Sequence, residues 1–345
     1  MKRRVLLLAM GLLAMAALSS VFALSSDSGA DPNGEDALSI GPVDNIMRPE
    51  HLGIANHRVT VSVPYETVGT VSGLWAVPYV SSDWRLVPTL DGEPVATCDY
   101  RWYPVRFVSS GSRDGLDLQS NVVLIAGRRA AVGELSLRNR SDKIKEGALT
   151  LSLAAPTLDK TDEWLFGTRT SDTPAAAAKE PGALCFTQGE SGICLAAEGE
   201  FSLADDQPRC RVDYTLGPNQ TAVFYYTVAI GPAEDARQTA GKIAADPRGA
   251  IADSLKAYRA EREAITEYLP ALESDNSQWV AFYNRSLLHF FTNRWEGDGF
   301  LLRPYYATGG MSGGCTCCYL WNFGEPWEIL PLWDPEAAKA HIKQF

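Results

Sequence analysis

A chain of 345 residues that is 46% hydrophobic and 21% charged belongs to the globular class rather than the disordered one. Its length gives room for two domains of ordinary size. Its net charge of −11 repels phosphate backbones, which argues against nucleic acid as a partner.

The first element along the chain reads as an export signal. Lys2, Arg3 and Arg4 precede an apolar run from Val5 to Leu18, and Val21-Phe22-Ala23 closes it with small residues at the −3 and −1 positions. This pattern predicts a secretory signal peptide over 1–23. The run approaches the ~20 residues that span a bilayer, but Ala, Gly and Ser dilute it and a cleavage site ends it. Cleavage is therefore expected rather than anchoring, with no stable membrane insertion afterwards. The mature protein is expected to be exported (periplasmic, extracellular or cell-surface). Residues 24–55 are rich in Ser, Asp, Gly and Pro and are predicted to be flexible.

From 56 to 231 apolar and polar residues alternate, as in Arg58–Val63, Gly133–Arg138, Ala148–Leu153, Cys210–Tyr214 and Ala222–Ile230. Such runs, separated by Gly, Pro, Asn and Asp, predict half-buried strands in a β-sandwich. Leu184–Gln188 and Ser191–Leu195 flank Gly189-Glu190, a pair suited to a type II′ hairpin turn. That register sets Cys185 opposite Cys194 in a non-hydrogen-bonded pair, where side chains come closest. A Cys185–Cys194 disulfide is expected, in keeping with an oxidising compartment.

The period changes near 233. Glu234–Ala245 reads as a short helix, and Asp246-Pro247 as the N-cap and first residue of a second that runs to about Tyr268. Together they make a helical linker over 232–270. A third helix is expected from Ser274-Asp275-Asn276, burying Trp279, Tyr283, Leu287, Phe290 and Phe291. A last helix begins at Asp334-Pro335-Glu336 and reaches Phe345 with no cap, so 271–345 reads as the incomplete start of a second domain.

Five of the nine Trp lie between 279 and 333, interleaved with Arg and acidic residues. Indole and phenol rings pack on pyranose C–H faces, and charged groups bind sugar hydroxyls. An aromatic core is the alternative reading. Cys315-Thr316-Cys317-Cys318 is too tightly spaced for a zinc site, so no metal is expected.

The succession Tyr283-Asn284-Arg285-Ser286-Leu287, Arg294-Trp295, Phe300-Leu301-Leu302-Arg303-Pro304, Gly309-Gly310, Tyr319-Leu320-Trp321-Asn322-Phe323 and Leu332-Trp333-Asp334-Pro335-Glu336-Ala337 resembles the opening of the catalytic domain of six-hairpin glycosidases. These are the (α/α)6-barrel glycoside hydrolases, trehalase-like, glucoamylase-like and processing α-glucosidase-like. The resemblance implies an all-β sandwich, a helical linker and the first helices of an (α/α)6 barrel. It also implies hydrolysis of glycosidic bonds, with inversion and with no cofactor. The substrate contacts it suggests are Arg294, Trp295, Arg303, Tyr305, Trp321, Asn322 and Trp327. Relatives carry Trp-Asp where this chain has Trp321-Asn322, and an amide cannot supply the general acid's proton. Glu325 is the candidate acid and Glu328 the alternative. A carboxylate that stabilises a helix N-terminus is the other role open to Glu325. The partner base would lie beyond residue 345, so the chain alone is expected to be inactive. A non-catalytic carbohydrate-binding protein and a purely structural sandwich are the other readings. The oligomeric state is left open.

Overall fold

A computed structural model describes residues 39–41, 52–160, 173–203, 208–297, 300–307 and 329–344. The signal segment 1–23 and the 315–318 cysteine cluster lie outside them.

Among the described residues seventeen strands precede the first helix. They are β1 (Gly53–Ala55), β2 (Thr60–Ser62), β3 (Val71–Ala76), β4 (Tyr79–Leu90), β5 (Glu93–Pro94), β6 (Asp99–Tyr103), β7 (Arg106–Arg113), β8 (Leu116–Leu124) and β9 (Ala130–Asn139). There follow β10 (Lys145–Ala154), β11 (Asp159–Lys160), β12 (Ala176–Glu180), β13 (Ala183–Gln188), β14 (Ser191–Ala197), β15 (Glu200–Ser202), β16 (Arg209–Leu216) and β17 (Thr221–Pro232). One sheet runs β1-β2-β3-β4-β10-β16-β15, with β5 and β11 also paired to β4. The other runs β12-β13-β14-β17-β9-β8-β7-β6.

The period-2 pattern decides which side chains meet between the sheets. Leu149, Leu151 and Leu153 of β10 and Cys210, Tyr214 and Leu216 of β16 point in from the first sheet. Leu135, Leu137, Leu184, Phe186, Ile193 and Leu195 point in from the second, and Trp84 and Phe107 fill the middle. Each large side chain buried this way contributes roughly 1.5–3 kcal/mol.

The domain starts earlier than its composition predicted. Leu52 and Ile54 are core residues and Gly53–Ala55 pairs with Thr60–Ser62, so 52–55, which were expected to be flexible, belong to the sandwich. Ile40 also pairs with Trp102, through backbone bonds of 3.0 and 2.9 Å. Few apolar residues lie in 24–55, but the described ones, Ile40, Leu52 and Ile54, sit at a strand edge or in the core.

On the second sheet the opposite face is apolar too. Val123, Val132, Cys185, Cys194 and Ala229 lie under Ala236 and Ala240 of α1 (Ala233–Ala244) and Ile251 of α2 (Pro247–Thr266). Asp246 caps α2, its side chain accepting from Gly249 N at 2.9 Å. Gly189 at φ 58° makes the β13–β14 turn. Cys185 then stands opposite Cys194 with Cα atoms 4.2 Å apart, joined as a disulfide beneath α1.

Beyond 270 the described residues hold α3 (Ser277–Asn293), a hairpin of β18 (Arg294–Trp295) and β19 (Tyr305–Tyr306), α4 (Leu330–Trp333) and α5 (Pro335–Gln344). A ring of paired helices is not among them. Asn276 caps α3 by accepting from Gln278 N at 3.0 Å. Leu287, Leu288 and Phe291 are buried, but Trp279 is 48% exposed, against the expectation that it is core. Helical spacing places residues on one face; it does not say how far a neighbour covers that face. Among the described residues no helix is long and apolar enough to cross a membrane.

Candidate functional site

The β1–β2 turn is built by Asn56. Its Oδ1 accepts from Arg58 N and Val59 N, and its Nδ2 donates to Ile125 O and Arg128 O. The turn leaves His57 at φ 69°, a left-handed conformation in which His is among the better tolerated residues. His57 thereby faces α2 and the end of α3. Its Nε2 lies 3.0 Å from Glu261 Oε1 and its Nδ1 3.1 Å from Arg294 O, while its ring lies 4.5 Å from that of Phe291.

Arg294 completes the network, reaching Glu261 at 2.6 Å and Glu296 at 2.7 Å. Burial alone would push the Glu261 carboxyl up. His57 and Arg294 outweigh it and hold the group below the ordinary carboxylate range. Glu261 is thus a pinned anion, unsuited to donating a proton near neutral pH. Glu296 N donates to His57 O at 2.8 Å, so the sandwich turn and the hairpin are tied by backbone as well as charge.

The hairpin carries the aromatic residues. Trp295 pairs with Tyr305 and Arg294 with Tyr306. The rings follow in series: Trp295 to Phe300 at 5.8 Å, Phe300 stacked on Tyr305 at 4.7 Å, and Tyr305 stacked on His341 at 5.9 Å. Phe300 and Tyr305 are half-buried.

Behind them Trp333 Nε1 donates to Tyr306 Oη at 3.0 Å, and Tyr306 Oη lies 3.2 Å from Asp334 Oδ2. Asp334 Oδ1 accepts from Ala337 N at the start of α5. The Tyr306 hydroxyl is raised first by burial and then by Asp334.

His341 is 1% exposed. Tyr306 N can only donate, so the His341 Nε2 it meets at 3.2 Å must accept. The ring proton then sits on Nδ1 and is donated to Ala337 O at 2.8 Å. His341 is neutral in this arrangement. Burial lowers its pKa, with the Ala337 bond and Asp334 offsetting only part of that.

Of the residues expected to touch substrate, Arg294, Trp295 and Tyr305 are brought together in one hairpin, and Arg303 is exposed between its strands, just before Tyr305. Arg294 is taken up by two carboxylates rather than left open for a hydroxyl. Trp295 is buried at 4% exposure against Val77, Phe300 and Ala307. Trp321, Asn322, Glu325, Trp327 and Glu328 lie outside the described residues. His57 and Glu261 were not picked out in the sequence, where neither belongs to a motif. Among the described residues no His, Cys, Asp and Glu cluster is placed to hold a metal ion.

No protein-family profile and no curated relative matches the sequence. Solved structures share parts of its shape. A putative kojibiose phosphorylase from the human microbiome is 11% identical with a TM-score of 0.37, over 78% of this chain and 38% of its own. A bacterial glucoamylase complexed with acarbose is 9% identical with a TM-score of 0.43, over 79% of this chain and 43% of its own. A putative aldose 1-epimerase from Escherichia coli K12 is 9% identical with a TM-score of 0.35, over 52% of this chain and 98% of its own. The chain thus spans less than half the length of the phosphorylase and the glucoamylase. At these identities and scores none of the likenesses assigns a family.

Proposed function

We propose that this chain supplies the β-sandwich and the first helical elements of an exported glycoside hydrolase that cleaves oligo- or polysaccharides with inversion. The observation that carries the reading is the order of parts. An antiparallel sandwich is followed by two linking helices, then by α3 and a hairpin whose rings stack in series. That order matches what the residues at 270–345 imply through their resemblance to six-hairpin glycosidases. Half-buried Phe300 and Tyr305 offer ring faces of the kind that pack on pyranose C–H groups.

In this reading Glu325 is the general acid, with Glu328 as the alternative. Glu261 is not a candidate, because its two partners keep it ionised. The test is hydrolysis of aryl glycosides by the product of the complete reading frame that carries this sequence. Glu325→Gln is expected to lower kcat by about 10²–10⁴-fold, the range for loss of a general acid. An unchanged kcat would remove Glu325 from the role. Asn322, in place of the Asp of relatives, favours one second reading, a protein that binds glycans without cutting them. Retention on a glycan array without turnover of any bound glycan would select that reading.

A further inference from the structure

The outer face of the first sheet carries a groove of about 910 Å³ across β4, β10 and β16. The described helices pack on the other sheet and on β1, so none of them covers it. Register fixes its floor. Thr89, Thr150 and Arg211 form one row, and Val87, Ser152 and Arg209 the next. Arg85 lies opposite Ala154 beyond them. Strand spacing and rise put the Cα atoms of Arg85 and Arg209 about 12 Å apart, with β10 between them.

The charges in this groove are not all satisfied. Asp83, two residues before Arg85, accepts from Thr157 N and Oγ1. Asp91 accepts from Ala148 N at 2.9 Å and faces the Tyr214 hydroxyl at 3.4 Å. Asp213 is bound by Arg211 at 2.8 Å. Among the described residues Arg85 and Arg209 are exposed with no carboxylate partner, and the Thr150 and Ser152 hydroxyls between them make no hydrogen bond.

We propose that this groove binds an oligosaccharide bearing carboxylates, with Arg85 and Arg209 each taking a carboxylate and Thr150 and Ser152 meeting sugar hydroxyls. A guanidinium fork matches a carboxylate bidentately, and a hydroxyl both donates and accepts. An acidic peptide fits less well. β4 and β10 are paired on both sides and β15 covers β16 over Arg209–Arg211, so the rows that carry Arg85, Thr150, Ser152 and Arg209 offer it no open strand edge. The floor also has no aromatic residue to take apolar side chains. Nucleic acid is disfavoured because the lining has no aromatic residue for bases to stack on and Arg211 is already paired with Asp213, which leaves no basic stripe to track a phosphate backbone. The groove shares no residue with the His57–Arg294 network or the aromatic hairpin, so its test and that of the proposed hydrolase are independent.

The experiment is calorimetric titration of the full chain with tetragalacturonate, with maltotetraose and tetraglutamate as comparison ligands. Tetragalacturonate is expected to bind, to weaken as salt rises, and to lose at least tenfold in affinity in Arg85→Ala/Arg209→Ala. Both positions are exposed, and unchanged thermal unfolding of the double variant would show that its fold is intact. Arg85→Lys/Arg209→Lys is expected to fall between the two, since it keeps the charge but loses the fork. Equal affinity in the alanine variant, or equally tight binding of maltotetraose or tetraglutamate, would overturn the proposal.

Discussion

At the scale of single residues, buried polar atoms decide the outcomes. Tyr226 is 1% exposed and its hydroxyl has no hydrogen-bond partner among the described residues. Its ring lies against Gly133 across the β9–β17 pair, where a Cβ would stand 2.1 Å from ring carbons. The ring is therefore needed and the hydroxyl is a cost. Tyr226→Phe is expected to raise stability by about 1 kcal/mol in urea unfolding, because it removes an unsatisfied buried group. A loss of stability would show that the hydroxyl has a partner. His341 makes the second case. Its pKa in the folded protein lies below the unfolded value, so the neutral form's contribution is fully present above about pH 6.5. That contribution is lost as pH falls from there through the folded value. Between pH 7.5 and 5 the wild type should lose stability faster than His341→Gln. Parallel curves would contradict the neutral, Nδ1-protonated assignment.

At the scale of elements, local rules served where the determinants are close in sequence. Asp246-Pro247 marked the start of α2, and the cap accepts from Gly249 N. Asp246→Ala should cost about 1 kcal/mol of stability, measured by denaturant unfolding. Gly189 and the alternation around it were enough to read the β13–β14 register. Non-reduced peptide mapping should find Cys185 linked to Cys194. Cys98, which is exposed, should alkylate under native conditions. Cys210, whose thiol burial pushes up to about 12, should not. Two alkylated thiols at 185 and 194 would contradict the pairing. Where distant parts decide, local rules stopped. Glu261 and Arg294 lie 204 and 237 positions from His57, and no periodicity marks lone polar residues that will meet across a fold. Trp279 shows the same limit, since spacing chose its face but not its cover.

At the scale of the whole molecule, the alternating strands and the change to helical period near 233 made the sandwich and its helices legible. The candidate site was legible only as a group of residue types. The hairpin joins Arg294, Trp295 and Tyr305, yet Arg294 is spent on carboxylates and Trp295 on packing. Phe300 and Tyr305 stay half-buried, and Phe300 was noted only as part of a run. The His57–Glu261–Arg294 network ties the sandwich to the elements that carry these rings, so the placement of the rings depends on the earlier elements. The most direct test is the anomeric configuration of the product released from an oligosaccharide by the protein encoded in the complete reading frame, followed by NMR. The account predicts turnover with product of configuration opposite to that of the bond cleaved. Absence of turnover across α- and β-linked glucans and uronans would contradict it.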